Sequence, residues 1–164
     1  MKPVTLTGDT EYPLFFSYED VIIGNGFIAE VKSVGKVLCA MEDDEVWMFG
    51  VQPAGIASCG ADIEAAYREF RLTFRRLLHD FAAESPDAAA FESEVRGFAG
   101  AVNEENAARW ALGVERVREG RVQAANLERW DASRPPFVHV GIVAMPSPAS
   151  NNEEELSPRH ALAA

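Results

Sequence analysis

Between Gly55 and Phe81 the chain carries the pattern that most restricts its fold. Ile63, Tyr67, Phe70, Phe74, Leu77 and Phe81 recur at steps of 4, 3, 4, 3 and 4. That spacing places six large apolar side chains on one stripe of an α-helix. Such a stripe has to be buried against another layer. Asp62 stands where its carboxylate can accept from a backbone N–H of the first turn, so the helix is expected to begin there. Ala65 and Ala66 leave room for close approach, and Gly55 and Gly60 let the backbone turn where a side chain would clash. The expectation is a last strand, a tight crossing, and a helix laid across a sheet.

The sheet is legible upstream. In "DVIIGNGFIAEV", Asp20 to Val31, Asn25-Gly26 separates two β-type runs. Asn-Gly favours a hairpin turn in which both central residues take positive φ. "KVLCAM" follows a Val34-Gly35 break, and "VWMFGV" follows the acidic tip Glu42-Asp43-Asp44-Glu45. These segments predict an antiparallel meander of three or four strands. Alternation is imperfect in the last two, so both of their faces are expected to be covered. Residues 1–12 are polar and irregular.

Downstream, Ser85-Pro86-Asp87 opens a second region. Two Ala- and Glu-rich segments carry Phe91, Val95 and Phe98, then Trp110, Val114 and Val117. They read as two helices stopped at Asn103 and Gly120, with a short turn in "ANLERW". "FVHVGIVAM", Phe137 to Met145, puts Val138, Val140 and Ile142 on one face and reads as a strand returning to the sheet. The expected organisation is a single α+β domain over residues 1–145, with a helical insertion at about 86–130. Residues 146–164, acidic and rich in Pro, Ser and Asn, read as a flexible tail.

Charge narrows the function classes. The chain has 15 Lys+Arg against 26 Asp+Glu, a net charge of −11 over 164 residues. Residues 1–60 alone hold 9 acids and 3 bases. Phosphate contacts need a basic footprint, so nucleic-acid binding is not expected. A basic protein partner is compatible, because complementary potential steers association. The two cysteines, Cys39 and Cys59, lack metal-ligand spacing and read as reduced thiols of a cytoplasmic protein. No run of 18 apolar residues and no basic-then-apolar leader occurs, so no membrane association is expected.

Taken together, a strand, Gly-x4-Gly, a capping acid and an Ala-containing amphipathic helix resemble the N-terminal domain of HicB-type antitoxins, bacterial toxin–antitoxin proteins. The family shows "PGCxxxG" followed by a "T-L-E-E-A" helix. Here "GIASCG" occupies Gly55–Gly60 and "DIEAAY" occupies Asp62–Tyr67. "VLCAMEDDEVWMFGV" is similar to the family's first hairpin, and "FVHVGIVAMPSP" to its fourth strand and proline-rich exit. The resemblance covers roughly residues 36–83 and 137–148. Ala54 stands where the family has Pro, with Pro53 one step earlier, and Ile56 stands where it has Cys. The helical insertion and an additional leading hairpin also depart from it. The 19 residues after Met145 fit no ribbon-helix-helix or helix-turn-helix module, so operator binding is not carried over.

The resemblance implies a truncated ribonuclease-H-like sheet without a catalytic carboxylate cluster. It implies a protein that is not an enzyme and that sequesters a small basic RNA-cleaving partner. Glu42, Asp43, Asp44 and Glu45 sit at the tip of the family's first hairpin, and are the residues expected at the partner surface. The plainer alternative for them is a solvated turn. No catalytic, cofactor or metal residues are assigned. His79, His139 and His160 are scattered, and Cys59 and Ser58 have no evident activating partner. Arg68, Arg71, Arg75 and Arg76 mark the polar side of the long helix and could meet an anion, or simply solvate it. Two rival classes stand beside the binding reading: a small enzyme with an unidentified site, and a stand-alone regulatory or structural protein sharing only the fold. A homo-oligomer is compatible with all three.

Overall fold

A computed structural model describes residues 11–121 and 131–143. The elements are β1 (Tyr12–Ile23), β2 (Ile28–Glu42), β3 (Glu45–Gln52), β4 (Ala57–Gly60), α1 (Ile63–Glu84), α2 (Ala88–Gly100), α3 (Glu104–Arg118) and β5 (Phe137–Val143). The architecture is α+β: a five-stranded antiparallel sheet with the three helices packed on it. No helix among the described residues is long and apolar enough to cross a membrane.

β2 is the spine of the sheet. Along one edge it pairs with β1 from Tyr12↔Cys39 to Ile23↔Ile28. Its other edge is shared. β5 takes the first half, Ile28↔Val143 to Val34↔Phe137, and β3 takes the second, Lys36↔Gln52 to Glu42↔Glu45. β4 closes the far side of β3.

Side chains alternate across a strand, so the two faces take different partners. Phe16, Tyr18, Ile22, Ala29, Val31, Val37, Cys39, Val46 and Met48 are buried in one cluster with Phe70 and Phe74 of α1 and Phe91 and Val95 of α2. On the opposite face Leu38 and Val51 pack with Trp110 of α3, flanked by Phe15 and Phe49. Trp110 Nε1 donates to the Leu14 carbonyl at 3.2 Å, which satisfies the indole while its ring is buried. The expected two-sided covering of β3 is therefore present.

α1 starts as its sequence requires. The Asp62 carboxylate accepts from Ala65 N at 2.7 Å. The centre of its buried face differs from the stripe of large residues. Ala66, Phe70, Phe74, Leu78 and Ala82 are fully buried, while Ile63, Tyr67, Leu77 and Phe81 flank them. The alanines mark where helix and sheet come closest. A Cβ at Gly60 would stand 2.6 Å from Ala66 N, and Ser58 Oγ donates to the Ala66 carbonyl at 2.8 Å.

Four expectations are corrected. The stretch between Gly55 and Gly60 holds a fifth strand, β4, rather than a bare crossing, and Cys59 lies within that strand. Val34-Gly35 is no break, because β2 runs through it to Glu42. Asn25-Gly26 belongs to a four-residue connection in which only Gly26 has positive φ, 77°. The Asn25 amide instead donates to the carbonyls of Ala83 and Ser85, tying the loop to the end of α1. Asn103 starts α3 rather than ending α2, since its side chain accepts from Asn106 N at 3.0 Å. The "ANLERW" turn, residues 1–10 and residues 144–164 lie outside the described residues.

Burial also sets an alkaline limit. Cys39 is fully buried, which pushes its thiol from the ordinary 9.0 up to about 12. Burial, then the hydrogen bond to Asp20, push the Tyr18 phenol up as well. In the unfolded chain both groups ionise at their ordinary values. The folded state holds the extra protons, so stability is fully present below about pH 9 and falls as the pH rises through 10. Urea midpoints measured from pH 8 to 10.5 should fall, and Cys39→Ala should fall less steeply. A flat profile would show that these groups ionise alike in both states.

Candidate functional site

Glu42, Asp43, Asp44 and Glu45 form the connection between β2 and β3. Glu42 pairs with Glu45, leaving Asp43 and Asp44 as a two-residue turn. Both aspartates have positive φ, 50° and 63°. A two-residue hairpin needs that conformation, and Asp tolerates it better than most residues because its short side chain bonds locally. All four carboxylates are exposed at the end of a ladder that holds their backbones in place.

The register adds residues that the sequence did not group. Glu42 and Glu45 stand opposite each other on the face that carries α3, a like-charge pair that costs stability. The next pair on that face is Ala40 and Trp47, with Cys59 beyond Trp47 on β4. Trp47 is half-buried and stacks on Phe49, with centroids 5.7 Å apart and planes 8° from parallel. Arg109 of α3 lies 6.0 Å from the centre of the Phe49 ring. It is ion-paired with Glu11, with Nε at 2.7 Å. That bond chiefly holds the guanidinium charged, and Glu105 and Glu42 act the same way. The result is an aromatic pair, Trp47 and Phe49, that shares its face with the opposed Glu42 and Glu45 and is flanked on the Phe49 side by the Arg109–Glu11 ion pair.

This arrangement can recognise; it does not activate a nucleophile. Desolvation raises the Cys59 thiol, and Glu45 and Glu69 raise it further, so it stays protonated at neutral pH. Carboxylates around a flat, stacked aromatic suit Lys or Arg side chains, which can pair with the acids while their stems or planes lie on the ring.

The other sequence candidates are dispersed. His79 is exposed on α1 and His139 on β5, while His160 is outside the described residues. Ser58 is buried and already bonded to α1. Arg68, Arg71 and Arg75 line a shallow cleft of about 330 Å³ beside β1, but Glu19, Asp20 and Glu64 line it too. Arg75 is ion-paired to Asp20 at 3.3 Å. The cleft is charge-balanced, and Arg76 is outside it. Among the described residues no group of three His, Cys, Asp or Glu side chains could hold a metal ion.

Part of the site was readable in advance. Glu45, Trp47 and Phe49 share parity in one strand, which places them on one face. The Glu11–Arg109 pair spans 98 positions and has no local signal. No family model, no curated protein and no solved structure matches the chain.

Proposed function

We propose that this chain is a protein-binding, antitoxin-like module of the HicB kind, which sequesters a small basic partner without binding DNA itself. The observation that carries the reading is Trp47, half-buried on the sheet and one cross-strand pair away from the exposed, opposed Glu42 and Glu45 of the acidic turn. A central aromatic with a charged rim is the composition in which binding energy concentrates at protein interfaces. The opposed Glu42–Glu45 pair supports the same reading, because it sacrifices stability that a binding role would offset.

Rim and centre should separate kinetically. The test first asks whether an adjacent reading frame encodes a small basic protein, and then measures surface-plasmon binding to that product; absence of any such frame counts against the reading. Replacing Glu42, Asp43, Asp44 and Glu45 by Gln or Asn should slow association about tenfold or more at low salt. The two rates should converge near 1 M salt, where the Debye length is about 3 Å. Trp47→Ala should instead speed dissociation and weaken binding by about thirtyfold, the effect of roughly 2 kcal/mol. Unchanged association at low salt would reduce the carboxylates to solubility groups. Failure to form any complex on co-expression would remove the antitoxin-like reading.

A further inference from the structure

We propose that two copies of this chain pair through the outer edge of β5, antiparallel, about a twofold axis at Val140. The proposal does not depend on the acidic site, which lies at the other end of β2.

Among the described residues the edge is open and unprotected: β5 pairs with β2 alone. Its seven residues, Phe137 to Val143, include no Lys, no Pro and no carboxylate, the devices by which sheets ordinarily blunt an edge. The other edges are guarded. On β1, Ser17 N donates to the Tyr67 hydroxyl and Val21 N to the Asp20 carboxylate. β4 has only four residues and lies against α1. On β5, among the described residues, the Arg96 guanidinium reaches the Val138 carbonyl at a long 3.4 Å.

Three of the seven exposed large apolar residues among the described residues lie on this strand. Phe137, Ile142 and Val143 are 54%, 46% and 49% exposed. Val143 continues across the sheet through Ile28 to Ile23, so its apolar row does not end at the edge. Among the described residues no helix covers this half of that face, because α3 packs on the half made by β3 and the start of β1.

The strand is complementary to itself in one register. With Val140 on the axis, Phe137 stands opposite Val143 of the second copy, and Val138 stands opposite its Ile142. Both pairs match faces, since 137 and 143 share one parity and 138 and 142 the other. His139 then meets Gly141, the one position in the strand without a side chain. A slip of two residues puts Phe137 opposite Gly141 in one sense and His139 opposite Val143 in the other, so the apolar pattern favours the register centred on Val140. Charge selects the edge: two chains of −11 repel, and β5 brings no carboxylate to the contact. Such an interface is isologous, as a twofold requires.

The test uses charges placed across the axis. Wild type should sediment at twice the 17.9 kDa chain mass at tens of micromolar. Phe137→Lys alone, or Val143→Glu alone, should weaken the dimer at least tenfold. The double variant should recover it, because each new lysine then faces the other copy's new glutamate. Both sites are half-exposed, so thermal melts of the three variants should show folded protein. If a single variant fails to fold, hydrogen exchange on wild type decides the matter: protection of the β5 amides should fall on dilution. A monomeric wild type, or a double variant no better than the singles, would overturn the proposal.

Discussion

Phe74→Ala should lower the stability of the chain by about 3–5 kcal/mol. Phe74 is fully buried on α1. Its ring lies 4.8 Å from Phe16 and 4.8 Å from Tyr18, both edge-on, and 5.7 Å from Phe98. It therefore joins β1, α1 and α2 in one contact. The lost ring removes the aromatic pairing as well as the buried area, because edge-to-face pairs contribute beyond burial. The site cannot collapse easily, since Phe16 is held in β1 and Phe70 is already packed 5.1 Å from it. For a chain of this size each kcal/mol shifts Tm by about 2–4 °C. A thermal melt should fall by roughly 6–20 °C. A loss within error would reject α1 as the helix that closes this face.

The same residue shows which parts of the fold were legible. A helix writes its buried side as a period, and the 4-3-4-3-4 spacing led directly to Phe70 and Phe74. It did not show that Ala66 and Ala82 sit deeper than Tyr67 and Phe81. Small side chains are buried where two backbones approach, and that is a property of the partner element. Strand β4 has no sequence signal, because four residues carry too little alternation. Gly55 and Gly60 do mark backbone constraints: Gly55 has φ 83°, and a Cβ at Gly60 would meet Ala66 N. At the candidate site the acidic turn was plain in the sequence, but its neighbours Glu11 and Arg109 come from opposite ends of the described chain. Side-chain convergence of that kind follows from topology, which no local period encodes.

Topology also explains the dual partnership of β2. The fifteen-residue β2 takes β1 along one edge and two shorter strands along the other. β5 and β3 lie end to end on the same edge, and the changeover falls between Val34 and Lys36. Among the described residues, the half-face that α3 leaves bare and the outer edge of β5 both lie on the β5 side of that changeover.

At that changeover Gly35 is tightly crowded by backbone, as is Gly50 beside the Pro53 carbonyl. A Cβ added at Gly35 would stand 2.1 Å from the Gln52 carbonyl oxygen and 3.3 Å from Pro53 Cδ. The nearest obstacle is backbone, so no side-chain rotation relieves it. The register already shifts between Lys36 and Val37, which leaves little slack for the strand to move aside. Gly35→Ala should cost about 3 kcal/mol, the upper range for overpacking. It should also loosen the Lys36↔Gln52 pair before the rest of the ladder, visible as faster amide exchange at the end of β3. Gly97 supplies the contrast. It lies in α2 with nothing within 4 Å of an added Cβ. There the same substitution should stabilise by about 0.5–1 kcal/mol, because Gly restricts poorly in a helix. Opposite signs at the two positions would show that crowding by the Gln52 carbonyl governs Gly35. Equal effects would mean that β2 can bend there, and that the sequence's apparent break at Val34-Gly35 is a hinge in the spine of the sheet.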